Sequence, residues 1–173
     1  QQNLWFTGLK DVCQLSFRYN HFKVNSVMSN DEVRSLLTDR DGRTWAGTRD
    51  GFLVVFDADH RRLGFLNRSG KITQQRVHFS EKLYALYQDI EGRLWIGTKG
   101  EGLFMLSPDG KFTHYHHDAK DNWSLSSNDV YDVVNDNQGR LWVATFGGGV
   151  NLMDFSGEQL RFIHSGNELK GYP

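Results

Sequence analysis

The chain has 173 residues, 13% of them aromatic, with 18 glycines and two prolines, which is a one-domain length and points to a β-rich globular chain and away from a disordered one. Its formal net charge is −1 with both signs mixed along the length, so no basic stripe is present to draw nucleic acid, and no DNA or RNA contact is expected. The longest apolar run, Phe52 to Phe56, falls far short of the ~20 residues of a membrane span, and the lone Cys13 makes no internal disulfide and fits no zinc pattern.

The chain opens inside a motif, Leu4-Trp5-Phe6-Thr7-Gly8, with no signal peptide, and reads as a segment of something longer. Fuller copies of the motif follow as Gly42-Arg43-Thr44-Trp45-Ala46-Gly47-Thr48, Gly92-Arg93-Leu94-Trp95-Ile96-Gly97-Thr98 and Gly139-Arg140-Leu141-Trp142-Val143-Ala144-Thr145. The Trp-to-Trp intervals are 40, 50 and 47 residues, the period of a repeat architecture. In the opening fragment a polar last strand is expected over Phe17 to Phe22, after a doubtful third strand.

Each full repeat begins with a short alternating run (Val33 to Leu37, Leu83 to Tyr87, Val130 to Val134) that reads as a strand. A turn follows at once, from Asp39, Asp89 or Asp136 to Gly42, Gly92 or Gly139. Asp at the first position and Gly at the fourth suit a type I turn. The second strand carries the Trp, with a small residue two positions on (Gly47, Gly97, Ala144) that leaves room for close packing. A glycine-bearing turn leads to an apolar third strand (Phe52 to Phe56, Leu103 to Leu106, Val150 to Met153). A more polar fourth strand comes last (Leu63 to Leu66, Phe112 to Tyr115, Leu160 to Ile163).

Four antiparallel strands per unit is the pattern of a propeller blade. The expected fold is therefore all-β: a partial blade at 1–28, full blades at 29–75, 76–125 and 126–173, and an incomplete ring. Trp5, Trp45, Trp95 and Trp142, with Gly42, Gly92 and Gly139, are expected to be blade core, each indole filling the wedge between neighbouring sheets. Faces left bare by absent blades call for the remaining blades of a larger ring or for a second copy of the chain.

No catalytic pattern is present: Walker-type loops, His-Glu-x-x-His and Gly-x-Ser-x-Gly are lacking. Gly147-Gly148-Gly149 does not open a helix, and a sialidase-type Asp-box fails because Arg40 stands where its Asp belongs. His114, His116 and Asp118 could share a metal on one strand face, but a solvated outer strand accounts for them, and neither metal nor cofactor is expected. Asn67-Arg68-Ser69 and Asn122-Trp123-Ser124 fit the glycosylation acceptor pattern by chance. Recognition is expected from turns and links at one rim: Arg49, Asp50, Lys99, Glu101 and Phe146 from the turns, with Asn25, His116, His117, Asp121, Asn122 and Trp123 from the longer links. Trp123 beside Asp121 and Asn122 suits a sugar ring, apolar on its face and hydroxylated at its edge, against the plain alternative that it caps a blade.

The succession strand, Asp-x-x-Gly-Arg, Leu-Trp-Ile-Gly-Thr, Gly-Leu, then Ser124-Leu125-Ser126-Ser127-Asn128-Asp129-Val130, resembles the two-component regulator propeller repeat over essentially the whole chain. The resemblance implies the sensor region of a hybrid two-component histidine kinase and response regulator, periplasmic and ahead of a membrane span. It implies a non-catalytic role in sensing an oligosaccharide and passing the change inward. Kinase and DNA-binding activities would belong to the parent protein. The rival readings are an interaction scaffold without a small ligand, and a carbohydrate-active enzyme such as a lyase.

Overall fold

The computed structural model describes residues 3–7, 11–16 and 21–169. Sixteen strands succeed one another, and no helix occurs among the described residues. They are β1 (Asn3–Thr7), β2 (Asp11–Ser16), β3 (His21–Ser26), β4 (Val33–Thr38), β5 (Thr44–Thr48), β6 (Leu53–Phe56), β7 (Arg62–Leu66) and β8 (Ile72–Thr73). After them come β9 (Leu83–Gln88), β10 (Leu94–Thr98), β11 (Leu103–Leu106), β12 (Phe112–Tyr115), β13 (Val130–Asn135), β14 (Leu141–Thr145), β15 (Gly149–Asp154) and β16 (Arg161–Ile163). Neighbours in sequence pair antiparallel to make four open sheets, β1-β2-β3, β4 to β8, β9 to β12 and β13 to β16. This is the all-β blade architecture. The chain divides into two compact units, residues 1–83 and 84–173.

The first sheet departs from expectation. Its last strand is β3, His21–Ser26, rather than Phe17 to Phe22; residues 17–20 lie outside the described ones, and nothing is described of the Asn25 side chain. The short β8 was not anticipated either. It exists because Asn67 builds a tight turn, its Oδ1 accepting from Ser69 N–H at 2.9 Å and Lys71 N–H at 3.0 Å. An Asn that bonds the backbone two residues on mimics a backbone turn, so the chance glycosylation triplet is a hairpin corner.

The Asp-to-Trp motif is a clasp. Asp89 O accepts Gly92 N–H at 3.0 Å, closing the turn, and Gly92 takes a φ of 81°, a left-handed value costly to a residue with a Cβ. Asp89 Oδ1 accepts Arg93 N–H at 2.9 Å, while Oδ2 accepts Trp95 Nε1–H at 2.7 Å and Arg93 Nε–H at 2.5 Å. The same indole-to-carboxylate bond recurs from Trp45 to Asp39 at 2.8 Å and from Trp142 to Asp136 at 2.9 Å. The repeated Asp, Gly, Arg and Trp are therefore one hydrogen-bonded structure. A buried indole N–H finds its partner, and the partner is spelled six residues upstream.

In residues 1–83 the core is Val12, Val27, Val33, Ala46, Phe52, Val54, Phe56 and Phe65, with Trp5 half-buried against it. Trp5 meets the His60 ring edge-on at 4.5 Å. Trp45 is buried. In residues 84–173, Ala85, Trp95, Leu103 and Met105 of one sheet pack on Val133, Leu141, Val143, Met153 and Phe162 of the other. Trp95 is fully buried, which at ~25 cal/mol per Å² over roughly 150–250 Å² corresponds to an upper estimate of about 4–6 kcal/mol gross. Gly97 makes the approach possible: a Cβ there would lie 2.6 Å from Val130 Cγ1 and 2.8 Å from Ala85 Cβ. Arg93 reaches across the pair of sheets, 4.5 Å over the Phe155 ring, and Tyr87 O–H donates to Asn135 Oδ1 at 2.8 Å. Trp142 is half-buried, on a row with Val134, Leu152 and Ile163.

Candidate functional site

Between the outer strand β12 and the β15–β16 turn lies a cavity of about 460 Å³, wholly within residues 84–173. Its floor is apolar, from Met105, Tyr115 and Phe162. Lys111, His114 and His116 line one side, and Glu158, Gln159 and Leu160 the other. Asp118, Asp121 and Trp123 of the link to β13 close one end.

That link is rigid for reasons in its sequence. Asp121 Oδ1 accepts Trp123 N–H at 2.9 Å, and Ser124 Oγ–H donates to Asp121 O at 2.7 Å. Asn167 Nδ2–H donates to Asn122 O at 2.7 Å and to Phe162 O at 2.9 Å, while Trp123 O accepts Phe162 N–H at 2.8 Å. The Trp123 ring is half-buried under Arg161, whose guanidinium carbon lies 4.7 Å from the ring centre. Arg161 is in turn held by Asp154 Oδ2 at 2.6 Å. Hydrogen bonds from Ser156 and then Arg161 lower the Asp154 pKa to about 2, so this anchor is a carboxylate at neutral pH. Burial raises the Tyr115 pKa, keeping its hydroxyl a neutral donor and acceptor on the cavity floor. Burial likewise lowers the His164 pKa.

Of the residues singled out in sequence, the cavity gathers His116, Asp121 and Trp123. The others lie elsewhere. His117 faces the backbone, its Nδ1 at 2.7 Å from Leu125 O and its N–H on Asn128 Oδ1 at 2.6 Å. Asn122 contributes its carbonyl to the Asn167 clamp. Arg49 pairs with Glu32 at 3.0 Å, and Asp50 N–H donates to Asp31 Oδ1 at 3.1 Å. Glu101 lends its carbonyl to His114 Nε2 at 2.5 Å, and Lys99 is half-exposed in the same turn. His114 also stacks on Phe104 with ring centres 4.1 Å apart, so its ring is committed to packing and to the Glu101 carbonyl. No group of three or more metal-ligating side chains occurs among the described residues. Phe146 stands exposed, 5.9 Å from the Tyr131 ring.

Sequence reasoning missed the far wall, Glu158 to Leu160, and the Arg161 lid on Trp123. Neither carries a local signal, because both depend on how one sheet is set on the next. Chemically, the site offers an aromatic edge, a hydroxyl and unlike charges on facing walls. Such a lining suits binding of a ligand with both an apolar face and polar groups.

Antiparallel sheets of four or five strands, three of them clasped by an Asp-to-Trp bond and differing in their links, define blades of the β-propeller class. The repeats themselves are two component regulator propeller repeats, since that family's model matches residues 27–50, 79–100 and 124–147. Among solved structures, the extracellular domain of the hybrid two component system BT4673 from B. thetaiotaomicron is similar at 24% identity and a TM-score of 0.68, covering 87% of this chain and 20% of that one. That of BT3049 from the same organism is similar at 22% identity and a TM-score of 0.68, covering 98% and 22%. Virginiamycin B lyase from Staphylococcus aureus shares the fold at 10% identity and a TM-score of 0.66, covering 94% and 52%. The chain thus spans about a fifth of the length of the extracellular-domain structures it matches. No curated protein matches. At these identities the likeness is one of fold. No helix among the described residues is long and apolar enough to cross a membrane.

Proposed function

We propose that this segment is a non-catalytic part of the extracytoplasmic, periplasmic sensor of a hybrid two-component regulator, and that it contributes to recognition of an oligosaccharide. The observation that carries this reading is the cavity walled by Trp123, Tyr115, Asp121, His116 and Glu158, set on propeller repeats of the two-component type. A sugar ring presents an apolar face and a hydroxylated edge. An aromatic edge beside carboxylates, an imidazole and a phenol serves both. The histidine kinase and response-regulator functions belong, on this reading, to the rest of the parent. Ligand binding must then favour one of two arrangements of blades to send a signal.

Calorimetric titration with hexasaccharides of glucan, xylan, mannan and polygalacturonan tests the reading. Heat of binding that is lost in Trp123→Ala supports it. Heat that is unchanged in Trp123→Ala would move sugar binding out of this cavity, and heat absent for every sugar while a protein partner is captured by the purified chain favours the scaffold alternative. Release of shortened sugars would favour the lyase.

The row of Val134, Trp142, Leu152 and Ile163 bears on partners. The corresponding Trp95 face is sealed by the next sheet of the same unit, so we propose that a further blade of the parent covers Trp142. The isolated chain should then self-associate, and light scattering showing a stable, well-folded monomer at all concentrations would remove this proposal.

A further inference from the structure

The three full repeats spell their Asp, Gly, Arg and Trp alike, and two of the matched positions at which they differ lie beside each other on the strand pair. One follows the first residue of the opening strand: Arg34, Tyr84 and Tyr131. The other follows the threonine that closes the second strand: Arg49, Lys99 and Phe146. The backbone shows why these positions can vary. The register of β4 on β5 shifts between Val33 and Ser35, and that of β13 on β14 between Val130 and Asp132, so Arg34 and Tyr131 are the extra residues of β-bulges on edge strands. A bulge turns a side chain out of the regular pleat, a device common beside binding sites. The second position is pinned through its backbone, Arg49 N–H to Glu32 O at 2.7 Å and Phe146 N–H to Asp129 O at 2.8 Å, so the local fold does not depend on which side chain stands there.

The two units fill these positions with different chemistry. In residues 1–83, Arg34 and Arg49 both pair with Glu32, at 2.6 and 3.0 Å. In residues 84–173 the positions are largely aromatic. The Tyr84 and Tyr131 rings stack 4.7 Å apart at 16°, and Phe146 continues the row from Tyr131. Tyr131 is 42% exposed and Phe146 68%. The hydroxyls of Tyr84 and Tyr131 have no hydrogen-bond partner among the described residues. A row of rigid rings, held by backbone bonds and tipped with free hydroxyls, costs little conformational entropy to engage a ligand. It is one ring wide and flanked in sequence by the charged Asp129 and Asp132 and by the bare backbone of Gly147. That width suits a chain of single rings better than a protein surface.

We propose that Tyr84, Tyr131 and Phe146 form a second saccharide subsite, separate from the Trp123 cavity. The open face of Phe146 lies against the C–H face of a pyranose, and the tyrosine hydroxyls bond its edge. This rests on the oligosaccharide reading above.

The test titrates the same four hexasaccharides into the whole chain and into Phe146→Ala, Tyr131→Ala, Tyr131→Phe and Trp123→Ala, with saturation-transfer NMR as a second readout. Phe146→Ala and Tyr131→Ala should each weaken binding about threefold to tenfold, the change an aromatic contact corresponds to. Tyr131→Phe should lose part of that. Phe146 anchors nothing in the core, so its variant keeps the test sound if Tyr131→Ala folds poorly. Sugar binding that Trp123→Ala weakens and all three row variants leave unchanged would overturn the subsite while sparing the general reading. Tyr131→Ala that aggregates with unaltered affinity would overturn it too, making the stack a guard on the strand edge. If no sugar binds the unaltered chain, both readings fall.

Discussion

Asp89→Asn is the sharpest test of the clasp, because it changes two hydrogens' worth of chemistry and almost no volume. Asp89 is buried, and both carboxylate oxygens accept: Oδ1 from Arg93 N–H, Oδ2 from Trp95 Nε1–H and Arg93 Nε–H. In the amide, whichever arm becomes NH2 faces a donor. If it faces the indole, the fully buried Trp95 N–H is left unpartnered, at a cost of about 1–3 kcal/mol. The charge-assisted bond from Arg93 weakens as well, a smaller loss because that side chain is 22% exposed and finds water. The total is about 2–4 kcal/mol, or roughly 5–12 °C in Tm for a chain of this size. Asp136→Asn disturbs the same clasp where Trp142 is only half-buried and Asp136 is 22% exposed, so water can replace the lost partner. It should cost less than half as much. Urea unfolding followed by indole fluorescence and by near-ultraviolet circular dichroism measures both. Equal losses, or an Asp89→Asn loss below about 0.5 kcal/mol, would refute the argument that the carboxylate serves the buried indole.

Three further outcomes follow from the same geometry. Gly97→Ala places a Cβ 2.6 Å from Val130 Cγ1 and should cost about 1–3 kcal/mol by thermal unfolding; Ala144→Gly, at a half-exposed position, should cost less, and the reverse order would contradict the packing described. Acid should destabilise the fold through Asp136 and Asp154. Trp142, then Arg140, hold the Asp136 pKa below the ordinary carboxylate value, and Ser156 and Arg161 hold that of Asp154 at about 2. Their contribution is present above the unfolded value of about 3.9 and is lost as pH falls through the folded values. Asp154→Asn should therefore flatten the decline in Tm between about pH 5 and pH 2, and an unchanged slope would contradict it. Arg161→Ala should uncover Trp123, red-shifting its emission and increasing iodide quenching; unchanged quenching would mean that Arg161 does not cover the ring.

The blades were legible because their signals are local. Asp at the head of a turn, Gly at its end and alternation through Trp95 all lie within one short window. The same window holds the Asp89-to-Trp95 bond, which spacing alone does not reveal because a turn residue and a wedge residue each have a sufficient duty of their own. Asn67 hides its role for a related reason: the Asn67-Arg68-Ser69 triplet matches a modification motif as well as a turn corner, and β8 follows only from the corner. The cavity was half legible. Trp123 and Asp121 sit together in the chain, but Tyr115, Phe162 and Glu158 join them only through the packing of one sheet on another. His117 turns its ring to the Leu125 carbonyl, and Asn122 takes part only through its own carbonyl, which accepts from Asn167 Nδ2–H. Tyr84 and Tyr131 carried a signal of another kind, variation between otherwise matching repeats, which shows only when the copies are laid side by side.

The division between scaffold and site can be read in one experiment. The chain has five tryptophans, and each gives one indole resonance in a 15N-labelled sample. On titration with the hexasaccharide mixture, the account predicts that the Trp123 indole shifts. Those of Trp45 and Trp95 should stay in place and exchange slowly with solvent, locked to Asp39 and Asp89. A Trp95 indole that exchanges freely, or sugar-dependent shifts at Trp45 and Trp95 with none at Trp123, would contradict it.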